Sequence, residues 1–133
     1  MSPRLGHSQF AIIHRTVREI MGRAPPVADR SATIGDVIRL IAAAPQRLLV
    51  VDQGSAPIGV ITEGDLVRRA ALGGDGDRSI DRIMSAPVIN VGRDDSVLYA
   101  IAIMRRRGYD ALPVVDADGR LVGLLSLTDA LVG

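Results

Sequence analysis

The sequence predicts an α/β protein made of two copies of one small unit, each a β-α-β-β-α series led by a short helix. Three observations carry this reading. VREIM at 17–21 recurs as IDRIM at 80–84, an offset of 63 residues. At the same offset the apolar set Ile34, Val37, Ile38 and Ile41 meets Val97, Ala100, Ile101 and Met104, and each set has the i, i+3, i+4, i+7 spacing of one buried helix face. After one inserted residue the offset becomes 64, so that LLVVD at 48–52 answers LPVVD at 112–116 and PIGVITEGDLV at 57–67 answers LVGLLSLTDAL at 121–131.

Each unit opens with a short helix (17–22 and 79–84), followed by a brief extended segment (25–28 and 87–91). An amphipathic helix comes next (33–43 and 96–107). Thr33-x-x-Asp36 starts the first of these as a capping box. Gly108 stops the second, with Arg105 to Arg107 in the last turn, where cations favour the helix dipole; that run reads as a solvated helix end. A buried strand follows (48–52 and 111–115), then a turn at Gly54 or Asp118-Gly119, then a second strand (57–61 and 121–125), which together make a hairpin. The final helix begins at Thr62 or Ser126. GGDGD at 73–77 reads as a flexible joint. The organisation is therefore a tail or docking segment at 1–15, motif one at 16–72, a joint at 73–78 and motif two at 79–133. A unit of about 55 residues is marginal alone. Two units packed sheet to sheet about a pseudo-twofold axis bury a shared Val/Ile/Leu face, which makes one domain of two motifs.

Composition narrows the function. The chain has 133 residues, 47% hydrophobic and 23% charged, which fits a globular fold. Aromatics are limited to two Tyr and one Phe, so the core is aliphatic and stacking platforms for single-stranded nucleic acid are missing. A net charge of +1 gives no footprint for DNA or an anionic membrane. All 16 basic residues are arginine. A lysine phosphate loop, Schiff base or lysine general base is thereby excluded, while arginine remains suited to bidentate phosphate contact. With no cysteine there is no disulfide, thiolate catalysis or Cys-based zinc site, and a reducing cytoplasmic setting is the simplest compartment. Apolar runs fall far short of the about 20 residues a membrane span needs, so no membrane insertion is expected. His7 and His14 both lie in the tail, and no metal-ligand spacing occurs; DGD at 75–77 reads as a loop.

The repeated order of a hydrophobic-PVVD strand, a turn and then G-h-h-[T/S]-x-x-D resembles a tandem pair of CBS (cystathionine-β-synthase) motifs. The two endings are Gly59-Val-Ile-Thr-Glu-Gly-Asp65 and Gly123-Leu-Leu-Ser-Leu-Thr-Asp129, and the likeness spans about 17–132. The first copy departs at Leu49, set against Pro113, and in its QGSAP turn. The resemblance implies a regulatory module that binds adenosine nucleotides (AMP, ADP or ATP) in clefts between the motifs, dimerises with a second copy and serves a regulated enzyme or transporter. It implies no catalysis and no required cofactor.

Two readings of Thr62-x-x-Asp65 and Ser126-x-x-Asp129 stand side by side. In one they are helix capping boxes. In the other, implied by the family pattern, the hydroxyl and the helix-tip N–H groups meet phosphate, and the two aspartate oxygens accept both ribose hydroxyls. Thr128 adds a hydroxyl in the second copy where the first has Gly64. Val27 and Ile89 are candidate walls for the base, with the backbone near Leu48 and Leu112. Arg47, matched with Ala111, is a candidate phosphate contact, and Arg68 and Arg69 are further cations past Asp65. The alternative function is a ligand-free structural or dimerisation adaptor with the same fold.

Overall fold

A computed structural model describes residues 15–54, 56–71, 80–85 and 89–132. The expected tail, its two histidines, the joint and the DGD run lie outside these residues, apart from Arg15. The described chain forms a mixed α/β structure with two three-stranded sheets. It divides into two compact units. One is continuous, within Pro25–Val88; the other is assembled from two stretches, within Met1–Ala24 and Ile89–Gly133.

The continuous unit contains β1 (Val27–Asp29), α2 (Ile34–Ala43), β2 (Leu48–Gln53), β3 (Ala56–Thr62), α3 (Glu63–Ala71) and a 3-10 turn at Ile80–Arg82. Its sheet order is β1-β2-β3, with β1 parallel and β3 antiparallel to β2. The composite unit contains α1 (Val17–Ile20), β4 (Val91–Gly92), α4 (Val97–Arg107), β5 (Ala111–Val115), β6 (Leu121–Ser126) and α5 (Leu127–Val132), with sheet order β4-β5-β6 and the same strand directions.

Local chemistry sets the element ends. Thr33 caps α2: its Oγ1 accepts the Asp36 N–H at 3.1 Å, and the Asp36 carboxylate accepts the Thr33 N–H at 3.2 Å. Ser96 Oγ accepts the Tyr99 N–H at 3.1 Å to start α4, and Gly108, at φ 71°, ends it in the left-handed conformation that suits glycine. The apolar faces then meet the sheets. Ile34, Val37, Ile41, Leu49, Val51, Ile61 and Ile80 form one core; Val97, Ala100, Met104, Leu112, Val114, Leu125 and Val17 form the other.

These two cores match position by position, and they locate the inserted residue. Ala28 pairs with Val51 as Val91 pairs with Val114; Leu49 pairs with Ile61 as Leu112 pairs with Leu125. The offset of 63 therefore persists through β5, and the extra residue enters the hairpin, where both ladders shift register, at Val51/Asp52 and at Val114/Val115. This corrects the sequence alignment. Leu49 corresponds to Leu112 and Val50 to Pro113. Arg47 corresponds to Asp110: the Glu63 N–H donates to the Arg47 carbonyl just as the Leu127 N–H donates to that of Asp110.

The leading segment of each repeat packs in the other repeat's unit. Residues 15–22 join the composite unit, where the Val17 N–H donates to the Asp95 carbonyl and Gly22 bridges Leu124; Ser85, the equivalent of Gly22, bridges Val60 in the continuous unit. These crossings explain Gly59 and Gly123. A Cβ at Gly123 would fall 2.7 Å from Met21 Sδ and 2.9 Å from the Gly22 carbonyl oxygen; one at Gly59 would fall 2.7 Å from Met84 Sδ and 3.1 Å from the Ser85 carbonyl oxygen.

Two predictions follow from these contacts. Gly123→Ala, which meets an immovable backbone oxygen, should cost about 1–3 kcal/mol, and Gly59→Ala, which meets chiefly a flexible thioether, should cost less. Thermal unfolding checks the order, and an unchanged midpoint in either variant would contradict the crossing geometry. The second prediction concerns acid. The Ser31 hydroxyl and N–H hold the Asp29 carboxyl below its ordinary 3.8, the Thr33 N–H and hydroxyl do the same for Asp36, and the Arg120 N–H does so for Asp116. Depressed native values mean that the folded state binds fewer protons than the unfolded state. The stability they contribute is complete above the ordinary value and is lost as pH falls through the depressed ones. Denaturant midpoints should therefore drop below about pH 4, and Asp116→Asn should flatten that drop.

Candidate functional site

The two [T/S]-x-x-D endings both lie where the last hairpin strand runs directly into the final helix of its unit. In the continuous unit Thr62 ends β3 and Asp65 stands in the first turn of α3. Thr62 Oγ1 accepts the Asp65 N–H at 3.2 Å, and Asp65 Oδ2 accepts the Thr62 N–H at 2.9 Å, a complete capping box. Asp65 Oδ1 accepts from the Arg68 guanidinium one turn on. At 7% exposure, Asp65 is the one charged side chain buried among the described residues.

The second ending shares the first hydrogen bond and lacks the rest. Ser126 ends β6, and its Oγ accepts the Asp129 N–H at 3.0 Å. The Asp129 carboxylate is exposed and has no hydrogen-bond or ion-pair partner among the described residues. Thr128, also exposed, precedes it on α5. The helix tips themselves are partly committed: the Glu63 and Leu127 N–H groups donate to the Arg47 and Asp110 carbonyls at 3.0 and 2.7 Å, and the Asp65 and Asp129 N–H groups to the two hydroxyls.

The structure thus brings Thr62, Asp65 and Arg47 to one end of the continuous unit. Arg47 has φ 57°, a left-handed backbone that costs a residue with a Cβ about 1–2 kcal/mol. Its guanidinium donates to the Ala42 carbonyl at 3.1 Å and lies 3.7 Å from a Glu63 carboxylate oxygen. Val27 sits on β1 opposite Val50 and is 41% exposed, so it is a surface side chain of its unit. Ser126, Thr128 and Asp129 come together in the composite unit. Ile89 is partly buried against that unit's core. The ladders make Asn90 the counterpart of Val27, and its Oδ1 is buried without a hydrogen-bond partner among the described residues. Sequence reasoning passed over Asn90, because nothing in its neighbourhood marks a buried acceptor. It named Arg68 only as a cation for phosphate; the spacing of Asp65 and Arg68, i and i+3 on a helix, was the signal for the ion pair actually formed.

Among the described residues no group of His, Cys, Asp and Glu could hold a metal ion, and no helix is long and apolar enough to cross a membrane.

Comparison with known proteins bears on the same residues. The family model described as CBS domain matches twice, over residues 17–72 and 80–132. An uncharacterized protein of Methanopyrus kandleri is 41% identical over 86 residues, which is 63% of this chain and 44% of that protein, so the chain spans less than half of that relative's length. A solved CBS domain protein from Pyrobaculum aerophilum, complexed with AMP, is 31% identical, with a TM-score of 0.78 over 86% of this chain and 89% of its own. The CBS domain of a bacterial CNNM/CorC family Mg2+ transporter in complex with ATP is 25% identical, with a TM-score of 0.80 over 94% and 90%.

The unequal boxes predict unequal costs. Thr62→Val removes the acceptor from a box whose acid is buried and should cost about 1–2 kcal/mol, whereas Ser126→Ala, in a box whose acid is exposed, should cost about 0.5–1 kcal/mol. Denaturant titration of the two variants measures the difference.

Proposed function

The chain belongs to the CBS domain family, and from that premise we propose that it is a non-catalytic regulatory module that senses adenosine nucleotides, AMP, ADP or ATP, through its [T/S]-x-x-D endings. The observation that carries the reading is the Asp129 carboxylate. It is exposed, it has no hydrogen-bond or ion-pair partner among the described residues, and it follows Ser126 and Thr128 in the first turn of α5, just past the end of β6. A carboxylate with two open oxygens suits a vicinal diol, accepting one hydroxyl on each. The AMP and ATP complexes of the two similar structures support the choice of ligand class.

The proposed roles are these. Asp129 and Asp65 take ribose hydroxyls, Ser126, Thr128 and Thr62 offer hydroxyl contacts, and Arg47 supplies positive charge toward phosphate. Val27 and Ile89 border the base. No cofactor is required beyond the regulatory nucleotide. The protein works in the cytoplasm as a homodimer, for which exposed Leu98, Tyr99, Leu131 and Val132 on α4 and α5 and Ile38 and Val67 on α2 and α3 provide apolar surface. Its output is to a regulated enzyme or transporter, without nucleic-acid binding or membrane insertion. A ligand moves such a partner only through its differential affinity for two arrangements of the module.

One observation favours the adaptor reading. The Thr62–Asp65 box is fully satisfied and its acid is buried, as in a purely structural cap. The two readings separate on Asp129→Ala. Nucleotide at 100 times its dissociation constant should stabilise the sensor by about 2.7 kcal/mol. Thermal melts with AMP, ADP, ATP, S-adenosylmethionine and NADH should show a shift with at least one adenosine nucleotide, and Asp129→Ala should remove it. A melt unmoved by all five at millimolar concentration would count heavily against the sensor and favour the adaptor.

A further inference from the structure

Arg68 and Val132 hold the same place in the two repeats, six residues beyond Thr62 and Ser126. Neither side chain belongs to a core; Arg68 is 70% exposed and Val132 is exposed too. Their chemistry is opposite. Arg68 reaches back one turn to Asp65 Oδ1, while the Thr62 N–H holds Oδ2, so both oxygens of this buried carboxylate are engaged inside its own unit. Asp129 has an apolar side chain one turn on and is exposed, and its carboxylate has no partner among the described residues.

We propose that Arg68 is a latch on Asp65, so that the Asp129 ending fills with nucleotide first and the Asp65 ending stays closed until the arginine lets go. This rests on the nucleotide reading above and adds the order of filling and the residue that sets it. A guanidinium–carboxylate hydrogen bond is charge-assisted and stronger than one donated by a neutral hydroxyl. A ribose diol approaching Asp65 must therefore replace a better donor with a weaker one and also open a buried carboxylate. At Asp129, exposed and without a partner among the described residues, the same diol meets no such competing donor. Arg68 in this role is a specificity residue that acts through Asp65.

Calorimetric titration of the full chain with AMP, and in parallel with adenosine, tests the latch; adenosine has no phosphate for an arginine to grip. The expected result is one tight event per chain, removed by Asp129→Ala and kept by Asp65→Ala. Arg68→Gln should tighten a second event by at least about tenfold, the weight of one charge-assisted hydrogen bond, and that event should survive in the Arg68→Gln/Asp129→Ala double variant. Arg68→Lys, which keeps the charge, should retain the single event. The latch is overturned if Asp65→Ala is the variant that removes tight binding, a comparison that leaves Arg68 untouched. It is also overturned if Arg68→Gln leaves both isotherms unchanged, or if it weakens AMP but not adenosine, since the arginine would then serve phosphate. Absence of binding by every variant to AMP, ADP and ATP alike would remove the nucleotide reading itself and the latch with it.

Discussion

The close passage of one backbone over another at Gly59 and Gly123 is the constraint on which the rest of each unit depends. The last hairpin strand has to carry the hydroxyl and the acid at its end, and the leading segment has to lie across that strand. Any side chain at the glycine would occupy the space that Met84 or Met21 and the neighbouring carbonyl already fill. Once the crossing is made, Ile80 and Val17 are buried against the sheets, and each small core gains a lid that its own repeat does not supply. Units of this size bury too little surface to waste such a contribution. The exchange of leading segments also means that the compact units differ from the repeat units: the chain starts in one, passes through the other and returns.

Much of this was legible in the sequence because it is local. Helix faces recur at 3.6-residue spacing, so Ile34, Val37 and Ile41 and their counterparts declared themselves, and Thr33 and Ser96 marked the helix starts. The hairpins were legible for the same reason. The position of the inserted residue was not. A strand buried on both faces is a continuous apolar run, and such runs match equally well at neighbouring offsets; LLVVD and LPVVD therefore aligned on their shared letters while the ladders pair Leu49 with Ile61 and Leu112 with Leu125. Only the bulges settle the register. The exchange of leading segments was hidden more deeply, because a repeat in sequence says which residues are alike and nothing about which of two like surfaces each one packs on.

The candidate site divides along the same line. That a hydroxyl and an acid three residues apart would meet at a helix start is a local rule, and both endings obey it at their first hydrogen bond. That one acid would be buried and the other open is a tertiary fact. T-x-x-D and S-x-x-D spell the same motif, and the burial of Asp65 depends on what packs around it.

That difference has an energetic logic. A carboxylate as buried as Asp65 is costly to leave without partners, and the first ending supplies two, the Thr62 N–H and the Arg68 guanidinium. An exposed carboxylate carries no such penalty, because water satisfies it. Asp129 can therefore stand without a partner among the described residues at almost no expense in stability, and a carboxylate so placed is more readily available to a ligand than a latched one. The apolar positions of the repeats have stayed interchangeable, Ile61 for Leu125 and Val51 for Val114, since each must fill a core of the same shape. The exposed position one turn past the acid has no such duty. An arginine there in one copy and a valine in the other leave both folds intact while giving a single motif two different chemistries.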